Sequence, residues 1–353
     1  MIDVLPAKDV VSSMVILTNG LTDTVDEGFL KVANSLIKRL KKARDDIEVV
    51  SYERKNEITD TFINPNKFMS NKCVRDVCRR HDEVLYVPFP TQKWIMALRA
   101  YLLSRFSKKL SVVLVLKTPI GLIGKFLLKL SGARIVVFSR DAADFYAKIV
   151  GAYRVTYLKT GVDTQKFTPV SAKRAIELKK KYGFEPDRKV VLHVGHLNEG
   201  RNIRQLMRIS DEYQVLLVTS TLTKNEEDHN LRQELLAKSN IKIIDHYLPN
   251  IQEIYQLADV YFFPVVESGH CIDVPLSCLE AAACDKPIVT TRFGEMKEFG
   301  GVCGFYYWDD LNTKIMNAKL EEAMIANIVE TRKAVLPYDW KNVIDVILNC
   351  NKF

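Results

Sequence analysis

Three strand ends in the second half of the chain carry residues able to hold an anion and a sugar. In VLHVGHLNEGRN, residues 191–202, an apolar run meets Gly195, then His196, a polar turn, Arg201 and Asn202. A glycine admits a close backbone approach, and two cations beside a helix start suit a diphosphate. On these residues alone a tight turn with charges facing water is an equal reading. Further on, FFPVVESGHCIDVPLSCLEAAACDKP carries a strand end at Pro264 into a loop with Glu267, Ser268, Gly269, His270 and Asp273. The helix after that loop opens near Leu276 and Ser277 and carries Glu280, a carboxylate able to accept hydrogen bonds from ribose hydroxyls. The small residues Ala281–Ala283 argue that this helix is buried rather than a surface element. A third strand end, at Thr290 and Thr291 with Gly294 behind them, would border the same place. Thr219 closes the run YQVLLV, and Tyr247 and Leu248 follow IKII.

Such residues need strands to end together. Short β-branched runs supply them: MVILT, VLYVP, SVVLVL, RIVVF and RVTYL in the first half, then KVVLHV, YQVLLV, IKII, VYFFP and PIVTT. Between them apolar residues recur at helical spacing, as in Phe29, Val32, Ala33, Leu36, Ile37 and Leu40, in Ile203, Leu206 and Met207, and in Ile251, Ile254 and Tyr255. Alternation of this type predicts an α/β protein with parallel sheets covered by helices on both faces, and two such sets predict two doubly wound domains. The expected boundaries are 1–166 for the first domain, 167–188 for a charged linker, 189–336 for the second domain and 337–353 for a closing helix. The run Lys179–Lys181 reads as a solvated helix face. Asp339 is a suitable cap for the closing helix, whose Trp340, Val343, Ile344, Ile347 and Leu348 line one face.

Composition narrows the class. The 353 residues are 47% hydrophobic and 27% charged, as in a globular protein, and the net charge of +8 favours anionic partners without choosing one. Seven cysteines show no zinc or disulfide spacing and read as free thiols of a reducing compartment. MIDVLPAKDVVSS lacks the order of a signal peptide, and no apolar run approaches a membrane span. The expected location is therefore the cytoplasm, at the inner face of the cell membrane if the protein touches lipid.

Taken together, the motifs resemble a known family. VGHLNEGRN is similar to a Val-Gly-Arg-Leu strand end followed by a lysine-glycine pair, and KTGVDTQKF to an interdomain Asn-Gly-Val-Asp motif. IYQLADVYFFP, DVPLSCLEAAACDKPIVTT and YDWKNVIDVIL resemble, in order, its apolar helix and strand, the segment around the second of two glutamates, and its closing helix. This is the pattern of retaining, nucleotide-sugar-dependent glycosyltransferases of family four (glycosyl transferases group 1). It runs continuously from about Tyr157 to the C-terminus and is thinner before it. The resemblance implies the GT-B fold, two Rossmann-like domains facing a cleft, with the closing helix returning to the first domain.

It also implies roles. Arg201 falls where the family lysine meets the donor diphosphate. His196 falls where the family has arginine, so its contact with phosphate would depend on pH. Glu280 matches the second glutamate, which holds the ribose. The position of the first glutamate is Ile272 here, and Asp273, Glu267 or His270 is expected to face the donor sugar instead. Gly195, Asn202, Thr219, Tyr247, Leu248, Leu276 and Ser277 complete the expected donor site. In the first domain the loop from Thr18 to Gly28, with Asn19 and Gly20, would lie near the phosphates. Lys117 stands where relatives often carry a histidine near the reacting centre, and Arg140 and Asp141 would edge the acceptor site.

The retaining mechanism of this fold lets the leaving diphosphate take the acceptor proton, and the family generally needs neither metal nor other cofactor. The expected partners are a nucleotide sugar and a glycan or lipid-linked acceptor, with no nucleic acid. The expected role is in cell-surface glycan, glycolipid or polysaccharide synthesis. Two basic amphipathic stretches, around Trp94–Phe106 and Ile120–Leu130, read either as ordinary sheet-covering helices or as a surface resting on anionic lipid. The competing readings of the whole chain are a nucleotide-sugar epimerase of the same fold and a non-catalytic nucleotide-sugar or glycan binder.

Overall fold

Every strand of the described chain pairs in parallel, and the strands form two sheets. The structure is a computed structural model and describes residues 13–23, 28–52, 55–63, 72–89, 93–159, 161–219, 228–267, 269–326 and 328–349. Contacts divide the described chain into a first unit, 13–23 and 33–157, and a second unit, 28–32 and 158–349.

In the first half the elements are β1 (Met14–Thr18), α1 (Gly28–Ala43), β2 (Ile47–Tyr52), β3 (Thr61–Ile63), α2 (Lys72–Arg80) and β4 (Glu83–Val87). They continue with α3 (Lys93–Ser104), β5 (Lys109–Leu114), α4 (Gly121–Leu130), β6 (Arg134–Val137), α5 (Arg140–Val150) and β7 (Val155–Tyr157). The sheet order is β3-β2-β1-β4-β5-β6-β7. β1 and β4 are buried along their whole length, as expected of strands covered on both faces. The helical stripe of α1 from Phe29 to Leu40 is buried at each of the six positions read from its spacing.

The second half contains α6 (Ala172–Lys181), β8 (Val190–Val194), β9 (Gln214–Val218), α7 (His229–Leu236), β10 (Ile241–Ile244), α8 (Gln252–Leu257) and β11 (Val260–Phe263). After these come α9 (Leu276–Ala283), β12 (Ile288–Thr290), β13 (Phe305–Tyr307), α10 (Thr313–Met324), α11 (Thr331–Val335) and α12 (Trp340–Asn349). Its sheet order is β10-β9-β8-β11-β12-β13. Each sheet reverses direction of growth beside its first strand, between β1 and β4 and between β8 and β11. Loops leaving the carboxyl ends of such a strand pair diverge to opposite faces and leave a crevice, the usual ligand position in open parallel sheets.

The KTGVDTQKF stretch is explained by packing within the second unit. Val162 donates to the Tyr338 carbonyl at 2.7 Å, and Trp340 donates back to Val162 at 3.2 Å. Asp339 caps α12 by accepting from the Lys341 amide at 2.8 Å, while its other carboxylate oxygen takes the Thr164 hydroxyl at 2.5 Å. A β-carbon on Gly161 would sit 2.1 Å from the Trp340 indole, so only glycine fits there. Arg332 adds a clamp, donating to the carbonyls of Phe167 at 2.8 Å and Thr164 at 3.0 Å. Among the described residues no helix is long and apolar enough to cross a membrane.

Gly161→Ala should lower stability by about 1–3 kcal/mol, the usual cost of overpacking a filled site. Chemical denaturation would show it as a lower midpoint at unchanged slope, whereas an unchanged midpoint would contradict the close contact with Trp340.

Candidate functional site

The site is built at the switch point of the second sheet, where β8 and β11 end. β8 runs into Gly195, whose amide donates to the Val218 carbonyl of β9 at 2.9 Å, so the ends of β8 and β9 stay stitched together. Beyond it the chain makes a short 3-10 turn, Glu199–Arg201, capped by the Asn198 side chain on the Arg201 amide at 3.2 Å. Asn202 then adopts a left-handed conformation, φ 55°, and its side-chain amide donates to the Pro264 carbonyl after β11 at 3.1 Å. The sequence spacing predicted an α-helix starting here. Instead residues Ile203–Arg208 form a second 3-10 turn, because the left-handed Asn202 interrupts the helical path. Ile203 and Leu206 are buried as expected.

The turn folds Arg201 back over Gly195. A β-carbon on Gly195 would lie 2.6 Å from a terminal nitrogen of Arg201 and 3.0 Å from Nε2 of His193. Arg201 is 8% exposed, its Nε is buried without a partner, and no acid pairs with it among the described residues. A buried guanidinium without a carboxylate is costly unless a ligand supplies the negative charge.

His193 was read from sequence only as a strand residue. It lies wholly inside, 6.4 Å from the Tyr261 ring and 6.3 Å from the Phe263 ring, with Nδ1 donating to the Phe262 carbonyl at 2.9 Å. That bond leaves the Nε2 lone pair directed at the Gly195–Arg201 contact without a partner. Burial, reinforced by the Arg201 charge, pushes its pKa down to about 4, so the ring is neutral. The Thr219 hydroxyl, just beyond the β9 end, is a third buried polar atom without a partner. The available signal for His193 was a histidine inside an otherwise apolar strand, immediately before a strand-end glycine.

The loop after β11 closes over the same turn. The His270 ring lies against Gly200, where a β-carbon would come within 2.3 Å of it, and its Nε2 is 3.7 Å from the Glu267 carboxylate. The Glu267 side chain is largely exposed and the His270 side chain nearly half exposed. Asp273 sits deeper, with its carbonyl accepting from the Glu295 amide at 2.9 Å. Glu267 and His270 are thus brought together, and Asp273 occupies a separate place nearer α9. Tyr247 and Leu248 follow β10 at the sheet edge, exposed and half-buried respectively. Ser268 and residues 24–27 lie outside the described residues.

α9 starts behind Pro275, and its first amides, those of Leu276 and Ser277, have no intrahelical carbonyl to meet. The helix is buried at seven of its eight positions, including Glu280 at 6% exposure, which removes the surface reading of that residue. Glu280 accepts from the Tyr255 hydroxyl at 2.6 Å and from the Lys31 ammonium at 3.0 and 3.2 Å, Lys31 being in the portion of α1 counted with the second unit. The Tyr255 hydroxyl, buried and beside that carboxylate, is pushed well above its ordinary pKa and stays a donor. A carboxylate offers about four lone-pair positions. Three are taken by Tyr255 and Lys31.

In the first unit the residues expected at its switch point serve the backbone. Thr18 donates to the Val87 carbonyl at 3.0 Å, and the Asn19 side chain accepts from the Phe89 amide at 2.7 Å. The Gly20 amide donates to the Thr18 hydroxyl at 3.0 Å, and its carbonyl receives the Asn34 side chain at 2.8 Å. Beyond β5 and β6, Lys117 and Asp141 form an exposed ion pair, and the Arg140 guanidinium lies 5.6 Å from the centre of the Tyr157 ring.

Residues 188–325 match the family described as glycosyl transferases group 1. A relative called putative glycosyltransferase EpsD, from Bacillus subtilis, is 27% identical over 136 residues, 37% of this chain and 35% of its own. An alpha-galactosylglucosyldiacylglycerol synthase from Streptococcus pneumoniae is 23% identical over 162 residues, 44% of this chain and 42% of its own. The chain therefore spans well under half the length of these curated relatives. In fold it is similar to Anabaena Alr3699/HepE solved with UDP, TM-score 0.77, and with UDP-glucose, TM-score 0.75. Each match is 14% identical and covers 96% of this chain and 99% of the other.

His193 makes stability depend on acid. Its folded pKa lies below the unfolded value of 6.5, so the unfolded chain binds a proton that the folded chain refuses between about 6.5 and about 4. Stability contributed by the neutral ring is intact above that window and falls as pH drops through it. His193→Asn, which retains a donor for the Phe262 carbonyl, should flatten that part of the denaturation-midpoint profile; parallel profiles for the two proteins would refute the burial of an uncharged ring.

Proposed function

We propose that the chain, whose residues 188–325 match the glycosyl transferases group 1 family, moves a sugar from a nucleoside diphosphate to an acceptor hydroxyl with retention. The observation that carries this reading is the buried Arg201 guanidinium over Gly195 at the β8–β11 switch point, which pairs with no acid among the described residues. A diphosphate supplies the missing charge there. The guanidinium donates to its oxygens, the first amides of α9 add partial positive charge, and His196 stands beside the same strand end. The Thr219 hydroxyl lies one strand away at the β9 end. Glu280 takes a ribose hydroxyl on its remaining lone pair, steadied by Tyr255 and Lys31.

The donor we favour is a uridine diphosphate sugar, in line with the nucleotides bound to the structural relative. As the anomeric carbon–oxygen bond breaks, its electron pair goes to the diphosphate, whose growing charge Arg201 stabilises. The acceptor hydroxyl attacks the same face and gives its proton to the leaving diphosphate. His270 with Glu267, or Asp273, faces the sugar. Acceptor recognition is assigned to the first unit, through Asn19, Arg140 and Asp141. A glycan or a diacylglycerol-linked sugar suits the names of the sequence relatives.

Arg201→Ala should weaken UDP binding by roughly 10- to 100-fold, the loss of one or two charge-assisted hydrogen bonds, with Arg201→Lys recovering part of it. Calorimetric titration of folded variants reads this directly, and equal affinity in both variants and the parent would refute the phosphate assignment. UDP release from UDP-glucose that depends on an added glycan or glycolipid acceptor would support transfer. Binding with no turnover against any acceptor would favour the non-catalytic reading.

A further inference from the structure

Three buried polar side chains meet around one glycine of the second unit. β8 and β9 run in register with Val194 beside Val218, so Thr219 falls beside Gly195. Residues two apart on a strand share a face of the sheet, as do residues paired across parallel strands. His193, Gly195 and Thr219 therefore look the same way. The space that a Gly195 side chain would fill is where Arg201 and the His193 Nε2 approach. His193 is 0% exposed, Thr219 5% and Arg201 8%. The His193 Nε2, the Thr219 Oγ1 and the Arg201 Nε have no hydrogen-bond partner among the described residues.

These atoms do not ask for the same partner. Arg201 only donates and the threonine hydroxyl can donate, so both can meet a phosphate oxygen. His193 cannot. Its Nδ1 proton is committed to the Phe262 carbonyl at 2.9 Å, which leaves Nε2 as a lone pair that only accepts. A sugar-linked diphosphate offers acceptors and no proton near neutral pH, so its oxygens would repel that nitrogen at contact distance. The donor at hand is the guanidinium, whose terminal nitrogen lies over the same point of Gly195. Its other polar neighbours are weak acceptors. Burial raises the pKa of the Tyr261 hydroxyl and of the Cys271 and Cys278 thiols, so all three keep their protons. The neutral imidazole nitrogen is the strongest acceptor among these side chains.

We propose that His193 is a positioning residue for Arg201: as the diphosphate arrives, Nε2 accepts one N–H of the guanidinium and turns the remaining N–H groups toward the phosphate oxygens. A guanidinium carries five donors in a fixed plane, so holding one edge fixes where the others point. A carboxylate in that place would also hold Arg201, but it would cancel the charge the ligand needs. The uncharged imidazole orients the cation and leaves its charge intact. This inference rests on the assignment of Arg201 to the donor diphosphate.

Calorimetric titration of the full chain with UDP tests it. His193→Asn keeps a donor for the Phe262 carbonyl but is too short to place an acceptor where Nε2 stands, whereas His193→Gln places one there. His193→Asn should weaken UDP binding by about tenfold, the loss of one hydrogen bond to a charged group, and His193→Gln should recover most of it. In the Arg201→Ala background His193→Asn should cost nothing further, because the group it positions is gone. A second measurement leaves His193 in place. With nitrogen-15 in the histidine rings, the His193 Nε2 resonance is recognised by its failure to titrate near neutral pH. Saturating UDP should move it toward the hydrogen-bonded range in the parent and leave it unmoved in Arg201→Ala. Equal UDP affinity in His193→Asn and the parent, or an equal loss in both backgrounds, would overturn the proposal and leave Arg201 as the phosphate contact. So would a resonance that UDP does not move, or moves equally without Arg201. A parent that does not bind UDP, or Arg201→Ala binding it as tightly as the parent, would instead sink the donor-site reading and this inference with it.

Discussion

A buried guanidinium that no carboxylate meets among the described residues sets the terms for the second unit. Arg201 reaches its place only because Gly195 has no side chain, because Asn198 caps the turn, and because Asn202 takes a left-handed backbone tied to Pro264. The unpartnered charge is a standing cost to the folded chain, which a bound anion would offset. His193 shares the arrangement: it is held neutral by burial, one ring nitrogen fixed by a carbonyl and the other left open.

The surrounding contacts keep that arrangement rigid. The Gly195 amide joins β8 to β9, the Asn202 side chain joins the turn to the end of β11, and Thr291 donates to Val265 beside it. Behind α9, Glu280 ties that helix to α8 through Tyr255. Farther along, the Gly161–Trp340 contact and the Arg332 clamp fix the chain that enters and the chain that leaves the unit. Motif residues that look functional in the sequence therefore divide into two kinds. Gly161 and Asp339 serve packing, while Arg201 is left over by it.

Much of this was legible from residue patterns. Ten of the thirteen strands among the described residues announced themselves as β-branched runs, since a strand covered on both faces needs apolar residues throughout. β2 was less visible because Glu48 and Ser51 interrupt it, and β3 and β13 are three-residue edge strands too short for any period. The helix expected after Asn202 became 3-10 turns, since apolar spacing of three and four does not distinguish the two when a left-handed residue intervenes. His193 was passed over for a similar reason: along a strand its side chain looks like any inward position.

By itself the sequence determined the two parallel α/β units, the burial of α9 with Glu280, and the strand-end glycine followed by a cation. These depend on local periodicity and on the backbone freedom of particular residue types, which are properties of neighbours along the chain. Only the tertiary structure decided that, among the described residues, Arg201 lies over Gly195 without an acid, that His193 points there, and that α4 keeps apolar side chains exposed. Those outcomes depend on which groups from distant segments arrive beside each other, and on which do not, and spacing along one strand or helix carries no record of either.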